Sequence, residues 1–422
     1  MNTDPFNPDF PLPVFGETSS SVWGLPEPVP STILLALSGD TMPAEDLLRA
    51  ALSIVGAEES RFVELDVPLN GPPFALWVMA IGLSEHPIPV IAWCEKIENP
   101  AGLPEIATGA RWMIGIQTVL DPERPLAVWS DMASLLNATW RNSVAMLDEE
   151  TEQWFSRDEM SLRFATDSSS FDESVLFRIH AAATHERPEE GSSVWLRTQG
   201  LHRCGRPEIE MLEVPGEVLP VAAELLESVA GLIVMKGIPD PDVVFEAGMG
   251  VTLRLRPWAD QAASLSADSI GNTEHRASMA QAMGGDLTEG RAVLCGHEPR
   301  GSFGSVYTWP SDVVDRLISG RCALERTPAW STGRSLQARS MWPRLLEAFS
   351  EGQSMSACLA LGETGVDRLH VWVHVESASE TEVTGTLLQD VDQGRRGDVV
   401  TSPVSNVIDW AFEHSDVDGG GS

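Results

Sequence analysis

Apolar residues recurring at every second position narrow the fold of this chain most, because a period of two gives a β-strand one apolar face. Val63, Leu65 and Val67 alternate with Glu64 and Asp66, and Val175, Phe177, Ile179 and Ala181 alternate with Leu176, Arg178 and His180. Short apolar runs at 33–37, 74–81, 90–94, 112–120, 194–199, 251–255, 355–361, 369–375, 383–388 and 397–400 extend the pattern. Asn70-Gly71, between two such runs, signals a hairpin turn. Most of the chain therefore reads as short, half-buried strands.

Helical signals are fewer. Thr41 and Pro43 open a helix whose first turn holds Glu45 and Asp46, where the dipole favours acids. Leu47, Leu48, Ala51, Leu52 and Val55 form its apolar stripe, and Gly56 is expected to end it. Residues 127–164 read as helical and charged. Residues 215–231 read as an amphipathic helix with Val218, Val221, Leu225 and Val229 on one face, and 311–320 and 342–349 as short helices. The expected class is α+β: two or three modules of mainly antiparallel sheet with packed helices, the C-terminal one mostly β. The boundaries follow composition. An extended lead-in covers 1–30, an N-terminal module 31–150 and a central module 151–258. A linker rich in Ala, Ser and Gly covers 259–290, a C-terminal module 291–415 and a disordered tail 416–422. Trp372, Leu387, Val399 and Trp410 are the expected core of the last module.

The 422 residues fit two or three domains. The net charge of −34 opposes binding to nucleic acid or to an anionic membrane, since phosphates would be repelled. Lys96 and Lys236 are the only lysines, so the basic side is almost wholly arginine. No basic leader is seen, and no apolar run approaches the ~18 residues of a membrane span. The five cysteines, Cys94, Cys204, Cys295, Cys322 and Cys358, lie far apart without a C-x-x-C, which suits reduced thiols in a cytoplasmic protein.

Near the C-terminus, Val371-Trp372-Val373, Thr384-Gly385-Thr386-Leu387, Gly397-Asp398-Val399-Val400 and Ile408-Asp409-Trp410 follow one another. Over roughly residues 354–412 this resembles the bacterial YegJ-like domain of unknown function. The stretch Trp195–Glu210 resembles a motif of larger bacterial proteins that carry that domain, matching at Trp195, Thr198, Gly200, Leu201, Arg203, Cys204, Gly205, Pro207 and Glu208. It departs at Arg197 and Gln199, where the motif tends to carry histidines. The resemblance implies no activity.

That stretch also gathers cations in an acidic chain, and it is the expected ligand site. Arg197, His202, Arg203 and Arg206 sit close to Glu208, and a hairpin would bring Arg178 and His180 alongside. Guanidinium forks suit carboxylates and phosphates. The competing reading makes Gly200 and Gly205 turn residues and pairs the arginines with surface carboxylates. His202 and Cys204, with His180 or His185, lack the paired spacing of a zinc site. His370 and His374 share a strand face but stand ~13 Å apart. Gly296–Gly304 lacks the Gly-Lys-Ser/Thr of a phosphate loop, and no other catalytic motif is present. The pairs Glu149-Glu150 and Glu189-Glu190 read as solvated faces. The run Arg316, Arg321, Arg326, Arg334, Arg339 and Arg344 either docks onto acids of the preceding modules or binds an external anion.

The expectation is a non-enzymatic binding protein, immunity-type or regulatory, with a protein partner and with no cofactor, metal, nucleic acid or membrane. The alternative is an enzyme acting on an anionic small molecule at the Arg197–Glu210 loop.

Overall fold

A computed structural model of the chain describes residues 22–25, 29–59, 62–65, 72, 74–84, 86–140, 142–164, 171–183, 193–262, 265, 269–283, 287–296, 309–361, 368–391 and 394–412. The class is α+β, with three mainly antiparallel sheets. The chain divides into two compact units. The first holds residues 1–169, 175–178 and 199–208; the second holds 170–174, 179–198 and 209–422.

In the first unit, β1 (Pro30–Ser38) is followed by α1 (Glu45–Glu59), β2 (Phe62–Leu65), β3 (Trp77–Leu83), β4 (Val90–Lys96) and β5 (Ala110–Val119). Then come α2 (Pro125–Thr139), β6 (Ser143–Asp148), β7 (Gln153–Ser156) and α3 (Arg157–Phe164). The strands form one sheet in the order β2-β3-β4-β5-β1-β6-β7. Because β1 runs between β5 and β6, its alternate residues decide both faces. Ile33, Leu35 and Leu37 are fully buried, with Ile116 and Ile114 opposite the first two and Met146 opposite Leu35 on the other side. The apolar residues of α2, among them Val128, Trp129, Met132 and Leu136, are buried with them. Pro125 stands in the first turn of α2, where no main-chain N–H is needed.

Two expectations change here. The first helix passes through Gly56 and ends at Glu59. The strand expected over Val63–Val67 is described as far as Leu65, and Asp66 and Val67 lie outside the described residues. Residues 127–164 are not one helical stretch, since the hairpin β6–β7 separates α2 from α3. Asp148, Glu149, Glu150 and Glu152 crowd its turn and make it look like a charged helix face, but Glu152 takes a left-handed backbone at φ 53°. The Asn70-Gly71 turn lies outside the described residues.

In the second unit, β8 (Arg178–Ala183), β9 (Ser193–Gln199) and β10 (Glu208–Pro215) precede α4 (Leu219–Lys236). Next come β11 (Val244–Glu246), β12 (Gly248–Met249), β13 (Thr252–Pro257), α5 (Trp258–Ala262), α6 (Thr273–Met283) and β14 (Arg291–Gly296). The chain continues through α7 (Ser311–Ile318), β15 (Ala323–Arg326), α8 (Pro328–Ser350), β16 (Met355–Leu361), β17 (Arg368–Ala378), β18 (Glu382–Leu387), β19 (Val399–Pro403) and β20 (Val407–Phe412). One sheet runs β11-β13-β14-β10-β9-β8. The other runs β12-β15-β17-β16-β20, with β18 joining β17 to β19.

The stretch 259–290, expected as a linker, carries most of α5 and all of α6, and Arg276 within it is fully buried. Its small residues are those of packed helices. The helix expected at 342–349 begins at Pro328, where Thr327 caps it by accepting the N–H of Trp330 at 3.1 Å, and it continues past Pro343. The C-terminal core forms around Trp342, Leu345, Met355, Leu359, Val371 and Val373, with Leu387 as expected. Val399 is exposed, since β19 pairs only with β18, and Trp372 and Trp410 are half-buried. The arginine run docks partly onto an earlier helix. Arg326 lies 3.1 Å from Glu227 and 3.8 Å from Glu224 of α4, and Arg334 lies 3.5 Å from Glu227.

Within residues 216–236, which comprise α4 and the turn before it, an 18-residue window has a mean hydropathy of 1.9, long and apolar enough to cross a membrane, contrary to expectation. Within the unit, 56% of the apolar window is buried. A helix apolar on most sides suits an interior position as well as a bilayer.

Glu173 meets this helix. A Cβ at Gly231 would come within 2.7 Å of its Oε1, and Thr327 Oγ1 donates to the same oxygen at 2.5 Å. Glu173 Oε2 is buried without a partner. Burial first, then the neighbouring Asp172, push this carboxyl up to about 7, against the opposing effects of Thr327 and Arg326. An acid whose folded pKa is raised binds its proton more tightly in the folded state, so its contribution is lost as pH rises from the ordinary carboxylate value toward 7. Glu173→Gln is therefore expected to stabilise the protein at pH 8 by up to about 3 kcal/mol and to change little at pH 4.5. Urea midpoints at both pH values check this.

Candidate functional site around the loop after β9

The loop 199–208 is shaped by two glycines and one acid. Gly200 sits at φ 113°, and a Cβ there would lie 2.4 Å from the Leu176 carbonyl, so only glycine fits. A short 3-10 turn, Leu201–Cys204, follows and closes on Gly205 in left-handed conformation. Glu208 is buried and accepts the main-chain N–H groups of Gly200 at 2.8 Å and His202 at 3.3 Å. Gln199 donates to the Glu150 carbonyl at 2.7 Å.

This folding turns Arg203 inward. Its side chain is fully buried and forms an ion pair with Asp148 at 2.8 Å. The guanidinium also donates to Ser31 Oγ at 2.9 Å and to the carbonyls of Leu176 and Val175, both at 3.2 Å. Asp148 in turn accepts from the Trp129 indole at 2.7 Å and from the main chain and hydroxyl of Thr151. The arginine is fixed on all sides within the first unit.

The remaining candidates divide. Arg206 is half-buried and donates to the carbonyls of Pro122 and Gly205. His202 is half-buried in the same loop. Arg178 is exposed and His180 half-buried on β8, the edge strand beside β9. Arg197 belongs to the second unit, where it is buried with its guanidinium 5.6 Å from the centre of the Trp195 ring. Of these arginines, Arg203 is met by a buried carboxylate and by carbonyls, and Arg206 donates to carbonyls.

The second unit contains a cation cluster invisible from sequence spacing. Arg276 lies between the rings of Trp195 and Trp258, at 4.5 and 4.2 Å, and forms an ion pair with Glu210. Arg291 joins the same carboxylate at 2.9 Å. Arg276 also donates to the carbonyls of Gly271 at 2.6 Å and Leu287 at 2.8 Å. Only the placing of Trp195, Arg197 and Glu210 on one face of a hairpin could have hinted at it.

The thiols offer no nucleophile here. Burial pushes Cys204 up to about 12 despite Arg203 and Arg206 nearby. Among the described residues, no cluster of three or more His, Cys, Asp or Glu has metal-binding geometry, and His185 lies outside them. His370 is buried against Trp330, with its Nε2 2.9 Å from Ser331 Oγ. Of the pair expected as solvated, Glu149 is exposed and Glu150 half-buried, and burial raises the Glu150 carboxyl. Glu189-Glu190 and the 297–304 loop lie outside the described residues.

A family model described as Protein of unknown function (DUF4026) C-terminal matches residues 179–285. The match runs from β8 through α6, across the Trp195 and Arg276 cluster, and does not overlap residues 354–412. No curated protein and no solved structure matches the chain.

Removing one member of a buried ion pair leaves the other uncompensated, at about 3–5 kcal/mol. Arg203→Ala is expected to cost that much in chemical denaturation. Arg206→Ala, at a half-buried position that donates to two carbonyls, is expected to cost about 1 kcal/mol.

Proposed function

We infer that this chain is a non-catalytic binding protein that recognises a basic protein partner. The observation that carries this reading is the fate of its cations. Arg203 and Arg276, which an anionic substrate would need, lie fully buried against Asp148 and Glu210. What remains in excess is acid, with 62 carboxylate residues against 28 basic ones. An acidic surface raises the encounter rate with basic proteins and repels acidic ones. An immunity-type or regulatory role opposing a basic target in the cytoplasm is the form this takes. The enzyme reading at Arg197–Glu210 is weakened by the same burial.

The test is isolation of the native chain from its source cells at low and at physiological salt. The expected outcome is a stoichiometric complex with one basic protein, dissociating as salt rises because its attraction is screened over ~10 Å at 0.1 M. Recovery of the chain alone under both conditions would overturn the interaction reading.

A further inference from the structure

Between α3 and β8 the chain passes through residues 171–174, which belong to the second unit and lie outside every strand. Phe171, Asp172 and Glu173 are buried nonetheless. A segment without strand partners keeps acids inside only where something receives them, and α4 has a fitted place for one. Its Gly231 stands in mid-helix, where glycine costs stability relative to alanine. A Cβ there would lie 2.7 Å from Glu173 Oε1 and 3.1 Å from its Cγ, so the missing side chain is the room the carboxyl occupies.

We propose that residues 171–174 form a proton-operated latch on α4, closed while Glu173 carries a proton and released as that proton leaves. The latch does not depend on the interaction reading.

Geometry separates the two states. Glu173 Oε1 accepts from Thr327 Oγ1 at 2.5 Å, while Oε2 is buried with no partner. A neutral carboxylic acid tolerates that position. A carboxylate there holds a full charge in the interior with one oxygen unmet, which burial penalises far more heavily.

The surroundings leave that charge uncompensated. On its own segment Asp172 faces it and adds repulsion. From β15 comes Arg326, whose guanidinium is already engaged by Glu227 at 3.1 Å and Glu224 at 3.8 Å, both of α4. The start of α8 offers the neutral Thr327, and α4 itself presents the bare Gly231. Asp172 Oδ1 accepts the main-chain N–H of Ser174 at 2.9 Å and its hydroxyl, and Oδ2 is buried without a partner. Among the described residues no third metal-binding side chain joins these two acids, and a proton is the cation that fits.

Release is confined to a short piece of chain. The next residues, Val175 and Leu176, are held through their carbonyls by Arg203, whatever the charge on Glu173. Thr327 accepts the Trp330 N–H with the oxygen that donates to Glu173, so the cap of α8 survives when Glu173 leaves. Both flanks stay folded while 171–174 lifts and uncovers Gly231.

Linkage fixes the direction. Closed, Glu173 titrates at about 7; open, it meets water and returns to 4.5. Between these values the open segment binds fewer protons, so the opening constant rises about tenfold per pH unit and levels off above the upper one.

Amide exchange of the full chain, followed by mass spectrometry from pH 5 to pH 8 and corrected for the chemical exchange rate, measures that constant. Over residues 171–174 it is expected to rise about a hundredfold between pH 5 and pH 7. It should exceed the constant for the β9 amides throughout, since local opening is easier than unfolding of the unit. Glu173→Gln keeps the uncharged shape, and should remove the slope and slow exchange at pH 8 about tenfold or more. Gly231→Ala fills the recess and should speed exchange over 171–174 already at pH 5. Glu246→Gln removes an exposed carboxylate of the same unit and should leave the profile unchanged. Thermal unfolding checks that each variant folds. A flat wild-type profile would overturn the latch, and so would a slope that survives Glu173→Gln, because another group would then be titrating. Exchange over 171–174 as slow as that of β9 at every pH would overturn it too, since the segment would open only with the whole unit. Slower exchange at pH 8 on adding calcium or magnesium would replace the proton with a metal clamp.

Discussion

The first unit depends on one buried guanidinium. Taking Arg203 and Asp148 out of water costs several kcal/mol per ion, and their attraction offsets this only when the other donors and acceptors are met. Here they are met by Ser31 from β1, Trp129 from α2, Thr151 from the β6–β7 turn and the carbonyls of Val175 and Leu176. One ion pair thus ties a central strand, the covering helix and two separate chain segments together. The second unit repeats the device with Arg276, Arg291 and Glu210, adding two tryptophan faces. In an acidic chain with few cations, these arginines take Asp148 and Glu210 inside with them, and the net charge outside stays strongly negative.

Strands were the most legible part of the sequence. Periodicity located β1, β4, β5, β9, β13 and β16 through β18, because a half-buried strand must alternate whatever its partners. It failed where polar residues had tertiary uses. Asp148 sits in an acid-rich turn, and nothing local distinguishes the one carboxylate that goes inside from neighbours that stay nearer the surface. The stretch holding α5 and α6 carries little large apolar content, so its burial around Arg276 could not be read from hydropathy.

The candidate site was legible as a place but not as a role. Arg197, Arg203 and Arg206 are neighbours in sequence, yet the 3-10 turn and the strand alternation send them to different surroundings. Their partners come from 55 residues away for Arg203 and 84 for Arg206. Proximity along a chain predicts convergence only when the backbone between the residues is regular.

The apolar helix α4 has a consequence for how the protein is made. Two elements that pack against it, α7 and β15, are encoded well downstream. During synthesis the helix therefore leaves the ribosome several seconds before these partners exist. Over that interval Glu173 is already in place beside Gly231, but the cover of α7 and β15 is missing. The apolar faces of the helix therefore wait in water for chain that has yet to be made, and the pace of synthesis between Lys236 and Arg326 sets how long they wait.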